Sequence, residues 1–379
     1  MSNMARDGDK IILGLAALIG GTLLTAYLAE SYEKSRHRAR STIYYDDDAD
    51  VDPESEEEVD LADEYDLEEA DDIRRAKPTE RKRKAELPPD EIKLRFQRFV
   101  EILEPTRSEN DKYASHQNTV TRRLEDGLGA TVLPVGSYAR NTYLKHSSDL
   151  DLLAVIPREN ALWGSSRKSS ATILKNVRAE LKARFRDTAI GKSGPSVLVN
   201  FGQGNYAVDV VPAVRLRSRA EGLYEIPANR GGWLTTNPIA HNDYLRKQNS
   251  ASTGKLRKIS MLVKYWARCR KSIDLHSFTT EIILADSGVC KGVKSYGEIL
   301  HGALARLLEY TDRPYPDPLG IADSLRLAST DGKARKLHDV LQTSVERLDL
   351  ALKAEQAGRI NEALGHYQIV FNRNFPLRA

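Results

Sequence analysis

Cysteine is nearly absent from this chain: Cys269 and Cys290 are the only two in 379 residues. Neither sits in a CxxC or other metal-ligand spacing, which excludes a thiolate zinc site and a disulfide framework. Both read as ordinary buried thiols in a reducing compartment. Lys and Arg are missing altogether between Asp46 and Asp72, where 17 Asp or Glu stand. With almost no aromatic residue to collapse on, that block repels itself and excludes a packed core. The net charge of +3 hides the asymmetry: outside the block, 57 basic residues face 37 acidic ones, an excess of 20 positive charges. Such a balance suits polyanionic ligands: nucleotides, nucleic acid or acidic lipid headgroups.

What is present begins with an uncharged run of 19 residues, Ile11 to Ala29. At a rise of about 1.5 Å per residue, a helix of that length spans roughly 28 Å, close to the hydrocarbon thickness of a bilayer. The run exceeds a usual signal core, and Tyr27 spoils a small-x-small cleavage site before Ala29. Lys34, Arg36, Arg38 and Arg40 follow it, against Arg6 and Lys10 before it. The positive-inside bias then predicts a single-pass anchor in the inner (cytoplasmic) membrane, with residues 11–29 touching lipid and the C-terminal bulk in the cytoplasm. Residues 1–30 are read as that anchor. Residues 31–87 are read as a disordered tether, acidic and then basic, the basic run being Arg74, Arg75, Lys77, Arg81, Lys82, Arg83 and Lys84. That run is compatible with nucleic acid but does not require it.

From Pro88 the pattern becomes globular. Apolar residues at Ile92, Phe96, Phe99, Ile102 and Leu103 mark a helix, and Ser115 to Leu124 a second one, broken by Gly127 and Gly129. Strands are predicted at Thr131–Pro134, Leu150–Ile156, Val197–Phe201 and Tyr206–Val211, with a turn at 202–205 and a helix over Ser169–Phe185. From Asn237 onward the pattern is helical: 237–249, 255–270, 277–286, 295–311, 332–357 and 359–372. There is no internal repeat. The predicted fold is α+β, with a mixed lobe over 88–220, a helical lobe over 221–379 and a site in the cleft between them.

The chemistry concentrates in Val135-Gly136-Ser137-Tyr138-Ala139-Arg140-Asn141-Thr142 and Ser148-Asp149-Leu150-Asp151-Leu152. A Gly-Ser turn after a short strand presents backbone N–H groups and a hydroxyl to a phosphate. Residues two apart on a strand share a face, so Asp149 and Asp151 project together. Two such carboxylates repel unless cations neutralise them. Mg²⁺ prefers carboxylate and phosphate oxygens. A third acid, Asp209, lies in the apolar run Tyr206-Ala207-Val208-Asp209-Val210-Val211. If that run pairs with the first, the three acids form a two-metal phosphoryl-transfer site. A DxD alone is weak; its conjunction with the Gly-Ser turn and a third acid in an apolar strand points to a nucleotidyltransferase.

These segments resemble the polymerase-β-type nucleotidyltransferase superfamily. More narrowly, they resemble the bacterial cyclic-oligonucleotide synthases related to cyclic GMP-AMP synthase and oligoadenylate synthetase, the CD-NTases or SMODS nucleotidyltransferases. The narrower likeness rests on Gly232-Trp233-Leu234-Thr235-Thr236-Asn237-Pro238 with His241, on Leu262-Val263-Lys264-Tyr265-Trp266, on His276-Ser277-Phe278, on Asp317-Pro318-Leu319 and on the ending Ile369-Val370-Phe371 with Asn374-Phe375-Pro376. It covers residues 88 to 379.

The resemblance implies that Asp149, Asp151 and Asp209 hold two Mg²⁺ ions, with Mn²⁺ as the alternative ion, and that Asp209 helps activate the attacking hydroxyl. It implies that Gly136 and Ser137 hold donor phosphates, that Lys264 reaches the triphosphate with help from Ser277, and that Phe278 stacks on a base. The plainer readings are an exposed helix lysine for Lys264, a helix N-cap for Ser277 and core packing for Phe278. His241 and His276 read as structural, Trp233 and Trp266 as core. ATP and other nucleoside triphosphates are the implied substrates. A cyclic di- or oligonucleotide second messenger is the implied product, released with pyrophosphate and read by a separate effector in antiphage defence. Two alternatives stand beside this reading. One is a linear oligoadenylate or RNA-tailing enzyme; the other is a catalytically inactive membrane-tethered scaffold.

Overall fold

The computed structural model describes residues 86–379 apart from 147–148, 164–165, 186–188, 194–195, 202–206, 217–221, 229–230, 271, 323 and 379. The apolar run 11–29, the acidic block, the basic run 74–84 and the expected turn at 202–205 lie outside the described residues. The inner-membrane, single-pass location expected above needs correction. Among the described residues no helix is long and apolar enough to cross a membrane. The longest, Asp331–Gln356, has 26 residues and the length to do so. It carries charges throughout, Lys333, Arg335, Lys336, Glu346 and Lys353 among them, so a bilayer would have to desolvate them.

A seven-stranded mixed sheet organises the first part of the fold. Its strands are β1 (Thr131–Pro134), β2 (Asp149–Ile156), β5 (Ala189–Ser193), β6 (Ser196–Asn200), β7 (Ala207–Arg215), β8 (Tyr224–Pro227) and β9 (Trp233–Thr236). A separate small pair is formed by β3 (Leu162–Trp163) and β4 (Ser166–Arg167). The order is β1-β2-β7-β6-β5, with β8 pairing β7 and β9 pairing β8. The central pair, β2 and β7, is parallel. Every other pairing in the sheet is antiparallel.

The apolar pattern of the two central strands explains the layering. Even-numbered residues of β2 and β7 (Leu150, Leu152, Ala154, Val208, Val210) face one core. That core is covered by α2 (Arg107–Leu128) and α5 (Ser170–Arg184) through Val120, Leu124, Ile173, Val177 and Leu181. Odd-numbered residues Leu153, Val211 and Ala213 face a smaller core with Tyr224, Ile226 and Leu234. Asp151 and Asp209 belong to this odd-numbered face. Local signals place the helices: Thr106 and Glu109 form a capping box at the start of α2, and Gly129, at φ +61°, ends it in the left-handed conformation. Short helices α3 (Gly136–Ala139) and α4 (Arg158–Ala161) follow β1 and β2.

The helical part holds the largest core. It contains α6 (Pro238–Ala251), α7 (Lys255–Arg268), α8 (Ser277–Asp286), α9 (Tyr296–Leu308), α10 (Asp331–Gln356) and α11 (Ile360–Val370). The first helix, α1 (Asp90–Leu103), packs here and not on the sheet: Ile92, Phe96, Phe99 and Leu103 lie in this core. Phe96 and Phe99 meet Phe375 edge-on, and Arg95 donates to the Pro376 carbonyl at 3.3 Å. The two ends of the described chain therefore close on each other. Trp266, fully buried, anchors the centre and donates from Nε1 to the Ser344 hydroxyl at 3.1 Å.

Candidate active site

The parallel pairing of β2 and β7 sets Asp151 directly opposite Asp209, and Asp149 opposite Ala207. Asp209 is 2% exposed, Asp151 partly exposed. Two carboxylates side by side on one sheet face, one buried, are costly without a compensating cation. Asp149 opens the strand two residues earlier, at a position on the same face; its side chain lies outside the described residues. Among the described residues no group of three or more His, Cys, Asp or Glu is placed to hold a metal ion. The described acids of the expected set are thus the adjacent pair Asp151 and Asp209, and that pair fits a hard divalent cation.

The Gly-Ser turn is fastened to the same spot. The Val135 N–H donates to the Asp151 carbonyl at 3.0 Å, continuing the β1–β2 ladder by one rung. Gly136 follows at φ +64°. A Cβ built on Gly136 would lie 1.8 Å from Asp151 Oδ2, so the carboxylate occupies the space any other residue would fill. Glycine is required here twice, for the left-handed backbone and for the contact. The turn closes through the Thr142 N–H, which donates to the Ser137 carbonyl at 3.0 Å.

Lys264 is not the exposed helix lysine of the plainer reading. It is 7% exposed, and its ammonium group is fully engaged. Nζ donates to the Thr142 carbonyl at 3.2 Å and to the Thr142 hydroxyl at 2.9 Å, and pairs with Glu281. These three acceptors use all three protons of the ammonium. Arg140 Nε pairs with the other Glu281 oxygen at 2.7 Å, and the Thr142 hydroxyl donates to Glu281 Oε1 at 2.8 Å. Burial alone would raise the Glu281 carboxyl; Arg140 and Lys264 overcome it and hold the group at about 2. One carboxylate serves two cations, so the shortage falls on the lysine. Burial, and then Arg140, push its ammonium below the usual lysine range against the pull of Glu281.

Ser277 is the first residue of α8 and partly exposed; the N-cap position belongs to His276, with no side-chain cap bond. Phe278 is 8% exposed, edge-on to His241 at 5.1 Å, with the Arg140 guanidinium 5.7 Å from its ring centre. It packs in the helical core, as its plainer reading has it. His241 bridges the Asn237 carbonyl at 3.1 Å and Asp317 Oδ2 at 3.0 Å.

Arg140, Thr142 and Glu281 were not singled out by the sequence reading. A signal for Glu281 existed: it is a lone acid in Thr280-Glu281-Ile282-Ile283-Leu284-Ala285, inside a helix buried on nearly every side. An acid there requires a cation.

Residues 91–249 match the family model described as the Second Messenger Oligonucleotide or Dinucleotide Synthetase (SMODS) domain. Over these residues the chain is similar to the SMODS domain of the CD-NTases. A probable cyclic nucleotide synthase of Bacillus cereus (strain VD146) is 23% identical over 279 residues, covering 65% of this chain and 83% of that one. The cyclic AMP-AMP-AMP synthase of Escherichia coli (strain MS 115-1) is 26% identical over 187 residues, covering 47% of this chain and 56% of that one. Among solved structures, E. coli MS115-1 CdnC with ATP superposes with a TM-score of 0.60 at 20% identity, covering 75% of this chain and 98% of that one. The fold is the polymerase-β-like nucleotidyltransferase fold with a helical C-terminal part. By its similarity to these synthases, the chain is a nucleotidyltransferase.

Proposed function

We propose that this chain joins nucleoside triphosphates into a cyclic di- or oligonucleotide with release of pyrophosphate, at a site built from Asp149, Asp151 and Asp209. The observation that carries the reading is the register of β2 against β7, which pairs Asp151 with Asp209 while Gly136 lies against the Asp151 carboxylate. Asp149, Asp151 and Asp209 would hold two Mg²⁺, or Mn²⁺ in its place. The chemistry such ions would supply there is a lowered pKa for the attacking hydroxyl and stabilised charge on the phosphoryl and leaving oxygens. The chain's own residues do the rest. The Gly136-Ser137 turn holds the donor phosphates beside the carboxylates. Lys264, engaged behind that turn, contributes positive charge to it without a free proton to donate. Asp209, beside Asp151, would help activate the incoming ribose hydroxyl. ATP is the first substrate to test, other nucleoside triphosphates the second. The SMODS match supports a second-messenger product; its use in antiphage defence, read by a separate effector, belongs to the same proposal.

The test is release of pyrophosphate from labelled triphosphates by the wild type and by the Asp149→Ala, Asp151→Ala double variant. The double variant should release none; full activity would remove these residues from the site. A product whose mobility is unchanged by phosphatase is cyclic. A product that loses terminal phosphate is linear and favours an oligoadenylate or tailing enzyme instead.

A further inference from the structure

Beyond the carboxylates, the buried acid Glu281 links the Gly-Ser turn to the helical core. It is 2% exposed and sits on α8, 141 and 139 residues from Arg140 and Thr142. Those partners are Arg140, Thr142 and Lys264, from the segment after α3 and from α7. Thr142 is the hinge of the arrangement. Its hydroxyl donates to Glu281 and accepts from Lys264, its carbonyl accepts from Lys264, and its N–H closes the turn onto Ser137. A continuous line of hydrogen bonds therefore runs from Glu281 through Thr142 to the Ser137 carbonyl.

We infer that Glu281 is a positioning residue, which fixes the Gly136-Ser137 turn in its phosphate-holding shape by clamping Arg140, Thr142 and Lys264 against α8. This rests on the reading that the turn holds phosphates. Glu281 touches no reacting atom. Without its charge, two buried cations face each other with no anion between them and push apart, carrying the Arg140–Thr142 segment with them. The turn then holds the triphosphate less well in the ground state and the transition state alike. An interaction used equally in both states appears in KM and leaves kcat unchanged.

The experiment compares wild type with Glu281→Gln, which keeps the shape and removes the charge, and Glu281→Asp, which keeps the charge. ATP turnover gives KM and kcat, calorimetry gives the Kd for ATP, and thermal unfolding reports the fold. For Glu281→Gln, KM and Kd for ATP rise about tenfold, about 1.4 kcal/mol, while kcat stays within threefold; Glu281→Asp recovers part of the loss. A folded Glu281→Gln with unchanged KM and Kd overturns the inference, as does a loss confined to kcat. If Glu281→Gln does not fold, Thr142→Val carries the test: it removes the hydroxyl that ties the turn segment to Glu281 and Lys264 and keeps every charge. A threefold or greater rise in Kd supports the positioning role, and an unchanged Kd refutes it. If the wild type turns over no nucleotide, the synthesis reading fails, while the Kd comparison still decides the role of Glu281.

Discussion

Replacing Gly136 by alanine perturbs the site more directly than any other single methyl group. The added Cβ would lie 1.8 Å from Asp151 Oδ2, and Cβ atoms essentially never approach another heavy atom within 3.0 Å. The carboxylate, the turn or both must give by about 1.2 Å in total. The turn has little slack, because the adjacent Val135 N–H is bonded to the Asp151 carbonyl at 3.0 Å, so the shift falls on the Asp151 side chain. A displacement of about 1 Å between reacting groups costs about 100-fold in rate. The left-handed backbone at φ +64° adds about 1–2 kcal/mol of strain for any residue with a Cβ. Gly136→Ala should therefore lower kcat/KM for ATP about 100-fold or more while losing only about 1–3 kcal/mol of stability. Pyrophosphate release under initial-rate conditions, beside a urea melt of the same sample, separates the two effects. A variant with kcat/KM within threefold of wild type would show that Asp151 does not act where the register places it.

Other positions give cleaner readings of stability. Trp266→Ala removes a fully buried side chain and should cost about 3–5 kcal/mol in a denaturant melt; Trp266→Phe should cost less, leaving chiefly the Ser344 hydroxyl without its partner. Asp317 accepts from His241 and from the backbone N–H groups of Leu319, Ile321 and Ala322. Asp317→Ala orphans all of them at once and should cost about 3 kcal/mol or more by the same melt. The Glu281 carboxyl is held at about 2, below its ordinary 4.5, so between those values the unfolded chain binds the extra proton. Its stabilising contribution is complete above the ordinary value and is lost as pH falls toward 2. Urea midpoints of wild type and Glu281→Gln should accordingly differ at pH 6 and converge as pH approaches 2.

Periodicity made much of the fold legible. The strand at Thr131–Pro134 and the helix at 277–286 have the expected bounds, and most other elements shift by one to four residues. The strands at Ala189–Ser193, Tyr224–Pro227 and Trp233–Thr236 were missed. Each is short, and Gly231 and Gly232 turn β8 into β9. The second helix begins eight residues before its expected start, at Arg107. Its first turns carry Arg107, Glu109, Asn110, Asp111 and Lys112, and the capping box rather than an apolar stripe starts it. Proximity is what one-dimensional patterns do not contain. The alternation rule places Asp149 and Asp151 on one face, but only the strand register brings Asp209 beside Asp151. Likewise Glu281 and Thr142 are 139 residues apart and meet through packing alone.

The charge excess also reads differently once the fold is known. A surplus of 20 positive charges outside the acidic block suggested a polyanionic ligand. On α7, however, Arg257, Lys264 and Arg268 point at the protein itself. Arg257 donates to the Asn141 carbonyl at 2.7 Å, Lys264 to that of Thr142 at 3.2 Å, and Arg268 to those of Lys145 and His146 at 3.0 and 2.9 Å. These four carbonyls lie in the short connection between the Gly-Ser turn and β2. Asn141 and His146, at its ends, have φ of +54° and +56°, a conformation that costs energy for residues with a side chain and persists where the surroundings hold it. The basic stripe of α7 supplies that hold. Part of the positive charge thus acts through the backbone geometry it imposes, and the placing of Asp149 and Asp151 relative to Gly136 depends on a helix that carries none of the three aspartates.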